Sequence, residues 1–313
     1  MSGFNIIQAS LIGNLPTIQL SLGQFKRYYP GTSVSVVCPD KDCGEFRRKI
    51  ADTAISFIPE SSILSFEDFR KIAIKELSAS TYETEITPRL GWYYQQVLKI
   101  ALLIDTIERT NQPVLLWDAD TVPLRKMKFF EGGHSIKYGS TVEFHVPYFK
   151  TAKEIFGELP PRFLSSTVQF VGATVLEKGH LIKRLSSYLP KPSDATLGQW
   201  IGQIVMKAVV GAHREYSPSM ISEQDVLGIS NLLLAPAVQT PVVQLRWGVE
   251  GRLTGLQSMA AKCLGFDHVT YENPASQHQA TQPWRSFWNL CRDAIQRRRE
   301  FDEKGMGGEF FSG

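Results

Sequence analysis

The stretch PVLLWDADTV, residues 113–122, joins a short apolar run directly to the tripeptide DAD. The run is typical of a strand that is buried on both faces of a parallel sheet. Asp118 and Asp120 follow at its carboxyl end, which is where ligands bind in open α/β sheets. Because side chains alternate along a strand, the two-residue spacing predicts that both carboxylates lie on the same side.

Two carboxylates so placed offer the hard oxygen ligands that Mg²⁺ and Mn²⁺ prefer. Such an ion leaves positions for diphosphate oxygens and water, and it neutralises the charge that develops on a departing nucleoside diphosphate. A D-x-D pattern alone is a weak signal, because aspartates at the end of a strand also serve turns and solvation. The surrounding sequence is therefore needed to interpret Asp118 and Asp120.

The chain before this stretch alternates short apolar runs with helical patterns, which predicts βαβ units and a parallel sheet. We interpret residues 81–89 as a polar loop. The predicted strands are FNIIQA, SVSVVC and AISFI. The predicted helices are LPTIQLSLGQFKRYY, a polar helix between SVSVVC and AISFI, residues 66–77 and GWYYQQVLKIALLIDTIERT. In the last helix, apolar side chains recur at helical spacing at Tyr93, Val97, Ile100, Ala101 and Ile104.

The chain after the stretch is richer in strand patterns, STVEFHV and STVQFVGATVL. Helices are predicted between and after them at residues 179–188, 196–210 and 222–234. A parallel beginning followed by mixed strands predicts an α/β sheet that acquires antiparallel members.

The last forty residues differ in character. The segment PWRSFWNLCRDAIQRRREF predicts a basic helix that carries Trp284, Phe287, Trp288 and Ile295. Such a helix either packs on the domain with a solvated arginine face or lies in an anionic membrane interface. We expect the tail that follows it to be disordered.

Composition restricts the class of protein. The 313 residues are 43% hydrophobic and 21% charged, enough for a sizeable core. The net charge of +3 carries little information about nucleic acid, and because the basic footprint of a nucleic-acid-binding protein is not present we expect no such partner. The four cysteines lack the spacing of a zinc site and follow no secretory signal, and no apolar run approaches the about 20 residues of a membrane span. We expect reduced thiols and a cytoplasmic protein. A peripheral position at the inner membrane is the alternative.

Taken together, the βα units, GWYYQQVLK and LLWDADTVPL resemble GT-A glycosyltransferases. They are similar to a group of bacterial glycosyltransferase-like proteins with a W-Y-x-Q-Q helix and a D-[AS]-D-T-V strand end. The resemblance continues through HVPYF and SEQDVLG and covers about residues 4–271. It implies a Rossmann-like GT-A fold with a mixed, mostly parallel central sheet flanked by helices. One catalytic domain would span residues 1–275, with a donor half over 1–125 and an acceptor half over 126–275, followed by the helix and tail of 276–313.

The resemblance also implies an activity. It would be metal-dependent transfer of a hexosyl group from a nucleotide-sugar donor, UDP-linked, to a glycan or glycolipid acceptor in bacterial surface polysaccharide synthesis. Lys99 would meet a phosphate, although it could equally be a solvated helix residue. The implied donor site consists of Ala9, Ser10, Gln95, Gln96, Lys99 and Asp118.

Glu223 and Asp225 are the candidates for the base that removes the acceptor proton in an inverting transfer. Ser222-x-x-Asp225 also fits a capping box, which would engage Asp225 with a backbone amide, so we favour Glu223. The resemblance implies His268 as a third metal ligand beside the aspartates, with His278 as a substitute. A structural histidine is the alternative interpretation of His268.

Four further side chains are candidates for contact with the acceptor, and packing roles are open for each. His145 and Tyr148 lie in EFHVPYF, where Tyr148 could stack on a sugar ring. Arg246 and Trp247 offer a charge and an aromatic face that could hold an acceptor or a phosphate.

Two rival functions fit the same residues. Haloacid-dehalogenase-like phosphatases carry D-x-D-x-[TV] after an apolar strand, with the first aspartate, here Asp118, as nucleophile and the second, Asp120, as acid and base. Those proteins usually place the motif on their first strand and need a later acidic pair, which is lacking here. A non-catalytic sugar-binding protein is the other alternative.

Overall fold

The computed structural model describes residues 3–77, 83–140, 145–160, 168–212, 219–235, 239–242, 244–247, 252–271 and 287–296. The α-helices are α1 (Leu15–Tyr28), α2 (Cys43–Lys49), α3 (Phe66–Leu77), α4 (Glu83–Ile86), α5 (Leu90–Thr110), α6 (Val146–Phe156), α7 (Val175–Tyr188), α8 (Leu197–Gly211), α9 (Glu223–Leu234) and α10 (Gly255–Cys263). The strands are β1 (Asn5–Ala9), β2 (Ser33–Cys38), β3 (Ile55–Pro59), β4 (Val114–Leu116), β5 (Thr121–Pro123), β6 (Phe130–Glu131), β7 (His134–Ser135), β8 (Lys137–Ser140), β9 (Val168–Ala173), β10 (Gln239–Val242), β11 (Gln244–Trp247) and β12 (His268–Tyr271). Residues 287–296 form a further helix near the end of the chain.

In the described residues, the main sheet has seven strands in the order β10-β8-β9-β4-β1-β2-β3. β1 lies in its interior and pairs in parallel with β2 and β4, and β2 pairs in parallel with β3. β9 runs antiparallel to both β4 and β8, and β10 returns to a parallel pairing with β8. The predicted α/β class, with a mixed and mostly parallel sheet flanked by helices, is therefore confirmed.

The alternation of side chains along β1 divides the core into two layers. Ile7 contacts a cluster that includes α3 and α5 to α9. Ile6 contacts a second cluster on the opposite face, which includes α1 and α2. Both side chains are fully buried, as expected for a central strand covered by helices on both faces.

Helix α5 is the longest helix in the described chain, at 21 residues. Its apolar side chains face the sheet and the neighbouring helices, and its C-cap residue Asn111 adopts a left-handed conformation with φ 55° that ends the helix. Lys99 lies within the buried part of this helix and is only 6% exposed. A buried ammonium group needs a partner, and the site described below provides two.

A second sheet of β11, β12 and β5 adjoins the main one. Phe287 and Cys291 of the helix at 287–296 are buried in the same cluster as Trp247 of this sheet. The described part of the predicted basic helix thus packs on the domain, while Trp284 and the tail lie outside the described residues. Within the described chain, no helix is long and apolar enough to cross a membrane.

Two local predictions were wrong. Residues Glu83–Ile86 are helical and Thr87–Arg89 form a 3-10 turn, where the sequence indicated a polar loop. The end of the predicted strand STVEFHV instead leads into α6, whose N-cap is His145 and which has a proline in its first turn. Proline is well tolerated there because the first amides of a helix have no internal acceptor. Residues 141–144 of that stretch lie outside the described residues.

Candidate functional site

A cavity of about 380 Å³ lies beyond the carboxyl ends of β1 and β4. Its walls come from both sheets, from the N-terminal half of α5 and from the first turns of α6 and α9. This is the edge at which ligands bind in open α/β sheets. The predicted donor, metal and base residues that line it are Ala9, Ser10, Gln95, Gln96, Lys99, Asp118, Asp120 and Glu223.

The DAD tripeptide connects the two sheets. The main-chain N–H of Trp117 donates to the carbonyl of Ile7 in β1 at 3.0 Å, and the N–H of Tyr271 in β12 donates to the carbonyl of Asp120 at 2.9 Å. Asp118 and Asp120 both line the cavity. β4 ends two residues before Asp118, so a turn held at both ends, rather than strand alternation, brings the two carboxylates to one cavity.

The two carboxylates interact electrostatically. Burial, followed by repulsion from Asp118, raises the pKa of Asp120 to about 6. The Thr121 hydroxyl donates to Asp120 Oδ1 at 3.0 Å and fixes its orientation. Two carboxylates that repel each other are oxygen ligands of the kind that a hard divalent cation would stabilise.

Lys99 links two acidic residues across the cavity. Its ammonium group donates to Asp118 Oδ1 at 2.7 Å and to Glu223 Oε1 at 2.7 Å. Burial lowers the pKa of Lys99, but the charges of Asp118 and Glu223 outweigh it and hold that pKa above its ordinary value. Lys99 is therefore a buried, charged bridge, and its interpretation as a solvated helix residue is wrong.

Glu223 begins helix α9 and is bound to α5 by its main chain. Its N–H donates to Gln96 Oε1 at 3.0 Å, and Gln96 Nε2 in turn donates to the carbonyl of Trp92 at 3.3 Å. The amide of Gln96 is thus used inside the protein, which disagrees with a role in reading a base or ribose. Burial raises the pKa of Glu223 against the lowering effect of Lys99.

Asp225 does not reach the cavity. Its side chain is fully buried, and Oδ1 accepts the N–H of Val168 in β9 at 3.0 Å. Ser222 caps α9 by accepting the N–H of Asp225, as the capping pattern predicted, but the Asp225 carboxylate serves the sheet instead of the cap. The expectation that Asp225 is a base therefore disagrees with its position.

His268 does not line the cavity that holds the two aspartates. It is fully buried, with its ring 4.7 Å from Phe170 and 6.5 Å from Trp117, between centroids. Burial lowers the pKa of His268 to about 3. In the described residues no cluster of three or more His, Cys, Asp or Glu side chains is arranged to hold a metal ion. A role for His268 as a third metal ligand therefore disagrees with its position among aromatic rings, while His278 lies outside the described residues.

The remaining predicted residues divide between cavity and core. Tyr148 and Arg246 line the cavity, whereas Trp247 is buried in the core of the second sheet. His145 Nε2 lies 2.7 Å from the carbonyl of Ser219, beside the cavity wall.

Several polar residues that line the cavity were missed by the sequence analysis. They are Asn14, Gln169, Gln224, Gln244 and Thr270. Only Gln224 had a local signal, because it follows Glu223 at the start of α9. The others are isolated polar residues in unrelated segments, which only the tertiary structure brings together.

Three solved structures of glycosyltransferases show distant similarity. Mouse xyloside xylosyltransferase 1 in its apo form is 10% identical, with a TM-score of 0.45 over 89% of this chain and 100% of that one. Galactosyltransferase LgtC, in complex with donor and acceptor sugar analogs, is 12% identical, with a TM-score of 0.42 over 93% of this chain and 96% of that one. The apo form of glycosyltransferase GlyE from Streptococcus pneumoniae TIGR4 is 10% identical, with a TM-score of 0.39 over 98% of this chain and 65% of that one.

At the level of sequence, no curated protein is significantly similar to the chain. A family model does match, over residues 9–223, which is more than half of the 313 residues. The matched region begins at the end of β1 and includes Lys99, both aspartates and Glu223. The chain therefore belongs to DUF6492, a family of unknown function.

Proposed function

We propose that this protein is a metal-dependent glycosyltransferase. It moves a hexosyl group from a nucleoside diphosphate sugar, UDP-linked, to a glycan or glycolipid acceptor. The observation that carries the proposal is the arrangement of Asp118 and Asp120 in one cavity with Lys99, which bridges Asp118 to Glu223. One site thus holds ligands for a cation, a fixed positive charge and a carboxylate.

Asp118 and Asp120 fit a hard divalent cation such as Mn²⁺ or Mg²⁺. Such ions are often held by only one or two protein carboxylates, with phosphate oxygens and water as the other ligands, so a third protein ligand is not required. When bound, the ion would neutralise the charge on the diphosphate and assist its departure. Mutual repulsion of the two carboxylates, part of the reason for the raised pKa of Asp120, favours such an occupant.

Lys99 keeps a permanent positive charge in the cavity because two acidic partners hold its proton. It orients Asp118 through the 2.7 Å hydrogen bond. A preorganised cation of this kind stabilises developing negative charge at little reorganisation cost, since it is already in place. Ala9 and Ser10 at the end of β1, and Asn14 at the start of α1, border the part of the cavity that we assign to the nucleoside.

Glu223 is the base in an inverting transfer. A carboxylate oxygen accepts the proton of the acceptor hydroxyl while that oxygen bonds to the anomeric carbon, and the bond from the anomeric carbon to the diphosphate oxygen breaks. Burial raises the pKa of Glu223, which makes it a better proton acceptor than an exposed glutamate. In a retaining transfer the same carboxylate would bind the acceptor instead.

The proposal is tested by incubating the purified protein with a panel of nucleotide sugars. Release of nucleoside diphosphate is measured with Mn²⁺, with Mg²⁺ and with EDTA, for the wild type and for Asp120→Asn. The matched control is Asp194→Asn, an exposed aspartate outside the cavity. We expect metal-dependent release from one donor, abolished in Asp120→Asn and unchanged in Asp194→Asn.

Two other results would contradict the proposal. Hydrolysis of simple phosphate esters that is lost in Asp118→Asn, without release from any nucleotide sugar, would support the phosphatase alternative. Binding of sugars without turnover under any metal condition would support the non-catalytic alternative.

A further inference from the structure

Two aromatic side chains form one wall of the cavity. Trp92 in α5 and Tyr148 in α6 both line it, and both are partly exposed. Their rings are nearly parallel, with an interplanar angle of 16° and centroids 6.2 Å apart. Flat apolar faces at the border of a cavity lined mostly by polar residues suit a ligand with one apolar face and a polar edge.

This wall is attached to the segment that carries Glu223. The carbonyl of Trp92 accepts from Gln96, and Gln96 accepts from the N–H of Glu223. Helix α6 is bound to the same segment, because the hydroxyl of Thr151 donates to the carbonyl of Met220 at 2.5 Å. The aromatic wall is therefore connected to the segment that carries the proposed base.

Gln224 adds an unsatisfied donor next to Glu223. Its side chain is 4% exposed and lines the cavity. Its Oε1 accepts the N–H of Val171 at 3.1 Å, whereas its Nε2 has no partner among the described residues. A buried donor without a partner is costly, so a ligand oxygen that the amide reaches by a small rotation toward the cavity would be favoured.

We propose that Trp92, Tyr148 and Gln224 form the acceptor subsite and that the acceptor presents a pyranose ring there. The apolar face of the ring lies on the aromatic wall, and a ring hydroxyl accepts from Gln224 Nε2. All three side chains are uncharged, as expected for a neutral sugar rather than a phosphate. That the bound sugar is an acceptor rests on the proposed function. That a sugar binds here rests on the aromatic wall and on Gln224.

Saturation-transfer NMR tests the proposed subsite, because it detects binding of a sugar at equilibrium and does not depend on catalysis. The probes are methyl β-D-glucopyranoside and methyl β-D-galactopyranoside at millimolar concentration, and UDP with Mg²⁺ in a separate arm. The variants are Trp92→Ala, Trp92→Phe and Gln224→Glu, which keeps the acceptor for Val171 but removes the donor. The control is Trp288→Ala, an exposed tryptophan of the 287–296 helix outside this cavity.

We expect saturation at the ring protons of at least one glycoside in the wild type and in Trp288→Ala. The affinity of the protein for this glycoside should fall about tenfold in Trp92→Ala and be partly recovered in Trp92→Phe. It should also fall in Gln224→Glu. The UDP signal should be unchanged in every variant. Absence of glycoside binding in the wild type, or equal affinity in Trp92→Ala and Trp288→Ala, would overturn the subsite. Loss of the UDP signal in Trp92→Ala would assign the wall to the nucleoside and also overturn it. A wild type that binds a glycoside but not UDP would contradict the proposed donor chemistry and leave the subsite standing.

Discussion

Replacement of Lys99 by methionine removes the positive charge that Glu223 depends on. The Glu223 side chain is 4% exposed and that of Lys99 is 7% exposed, so solvent screens this pair little. The side chain of Asp118 is 43% exposed, so solvent screens its interaction with Lys99 and the removal of Lys99 destabilises Asp118 less than Glu223. Breaking a buried pair by removing one partner costs about 3–5 kcal/mol, because the other charge is left buried and uncompensated.

This cost corresponds to a measurable change in melting temperature. With an unfolding entropy of about 2.1 cal/mol/K per residue, a chain of 313 residues has a total of about 0.66 kcal/mol/K. The Lys99→Met variant should therefore melt about 5–8 °C below the wild type in calorimetry near neutral pH. Lys71→Met is the matched control, since Lys71 pairs with Asp68 on the exposed surface of α3 and should change the melting temperature little.

The pH dependence separates charge from packing. Without Lys99, the pKa of Glu223 in the folded state lies further above its unfolded value, so the folded state binds more protons there. The loss of unfolding free energy relative to the wild type should be small near pH 4, where Glu223 is protonated in both states. It should grow as the pH rises from the unfolded to the folded pKa of Glu223, and be complete above the folded pKa. The double variant Lys99→Met with Glu223→Gln should recover most of the loss. An equal deficit at pH 4 and pH 8, undiminished in the double variant, would refute the reasoning.

Three further outcomes are expected. Burial lowers the pKa of Lys137 to about 7, so between about pH 7 and 10 the unfolded chain binds more protons than the folded one, and the free energy of unfolding of the wild type should rise with pH. The Lys137→Met variant should show a smaller rise, and at neutral pH its free energy of unfolding in guanidinium should be about 1–4 kcal/mol above that of the wild type. Burial lowers the pKa of His268 to about 3, so the free energy of unfolding of the wild type should fall as the pH decreases from about 6.5, and His268→Phe should weaken this fall. The same variant should bind Mn²⁺ as the wild type does in calorimetric titration. Loss of Mn²⁺ binding would instead support His268 as a metal ligand. Gly172→Ala should lower the melting temperature because its Cβ would lie 2.2 Å from the carbonyl oxygen of Val114, whereas Gly179→Ala meets nothing within 4 Å and should not.

Part of the candidate site could be predicted from the sequence because it depends on neighbours along the chain. A short apolar run followed by Asp118 and Asp120 already indicated a strand end at a ligand-binding edge. The Ser222 cap, three residues before Asp225, marked the start of α9. In both cases the deciding interactions join residues only a few positions apart.

The partners of these residues could not be predicted in the same way. Lys99 and Glu223 are 124 residues apart, and no local pattern relates them. Asp225 and His268 are polar residues in plausible places, yet one binds the main chain of β9 and the other packs against Phe170. Which face of an element meets a cavity depends on what packs against the other face.

The sequence by itself determined the order of the strands and long helices before the aspartate pair, the parallel half of the sheet and the position of that pair, since helix and strand periodicity and caps are short-range properties. The tertiary structure alone decided which charges meet, through the packing of α5 against α9 and the connection of two sheets by the DAD turn. The physical reason is that desolvation and Coulomb interaction depend on distance in space. The sequence specifies that distance only through the whole fold.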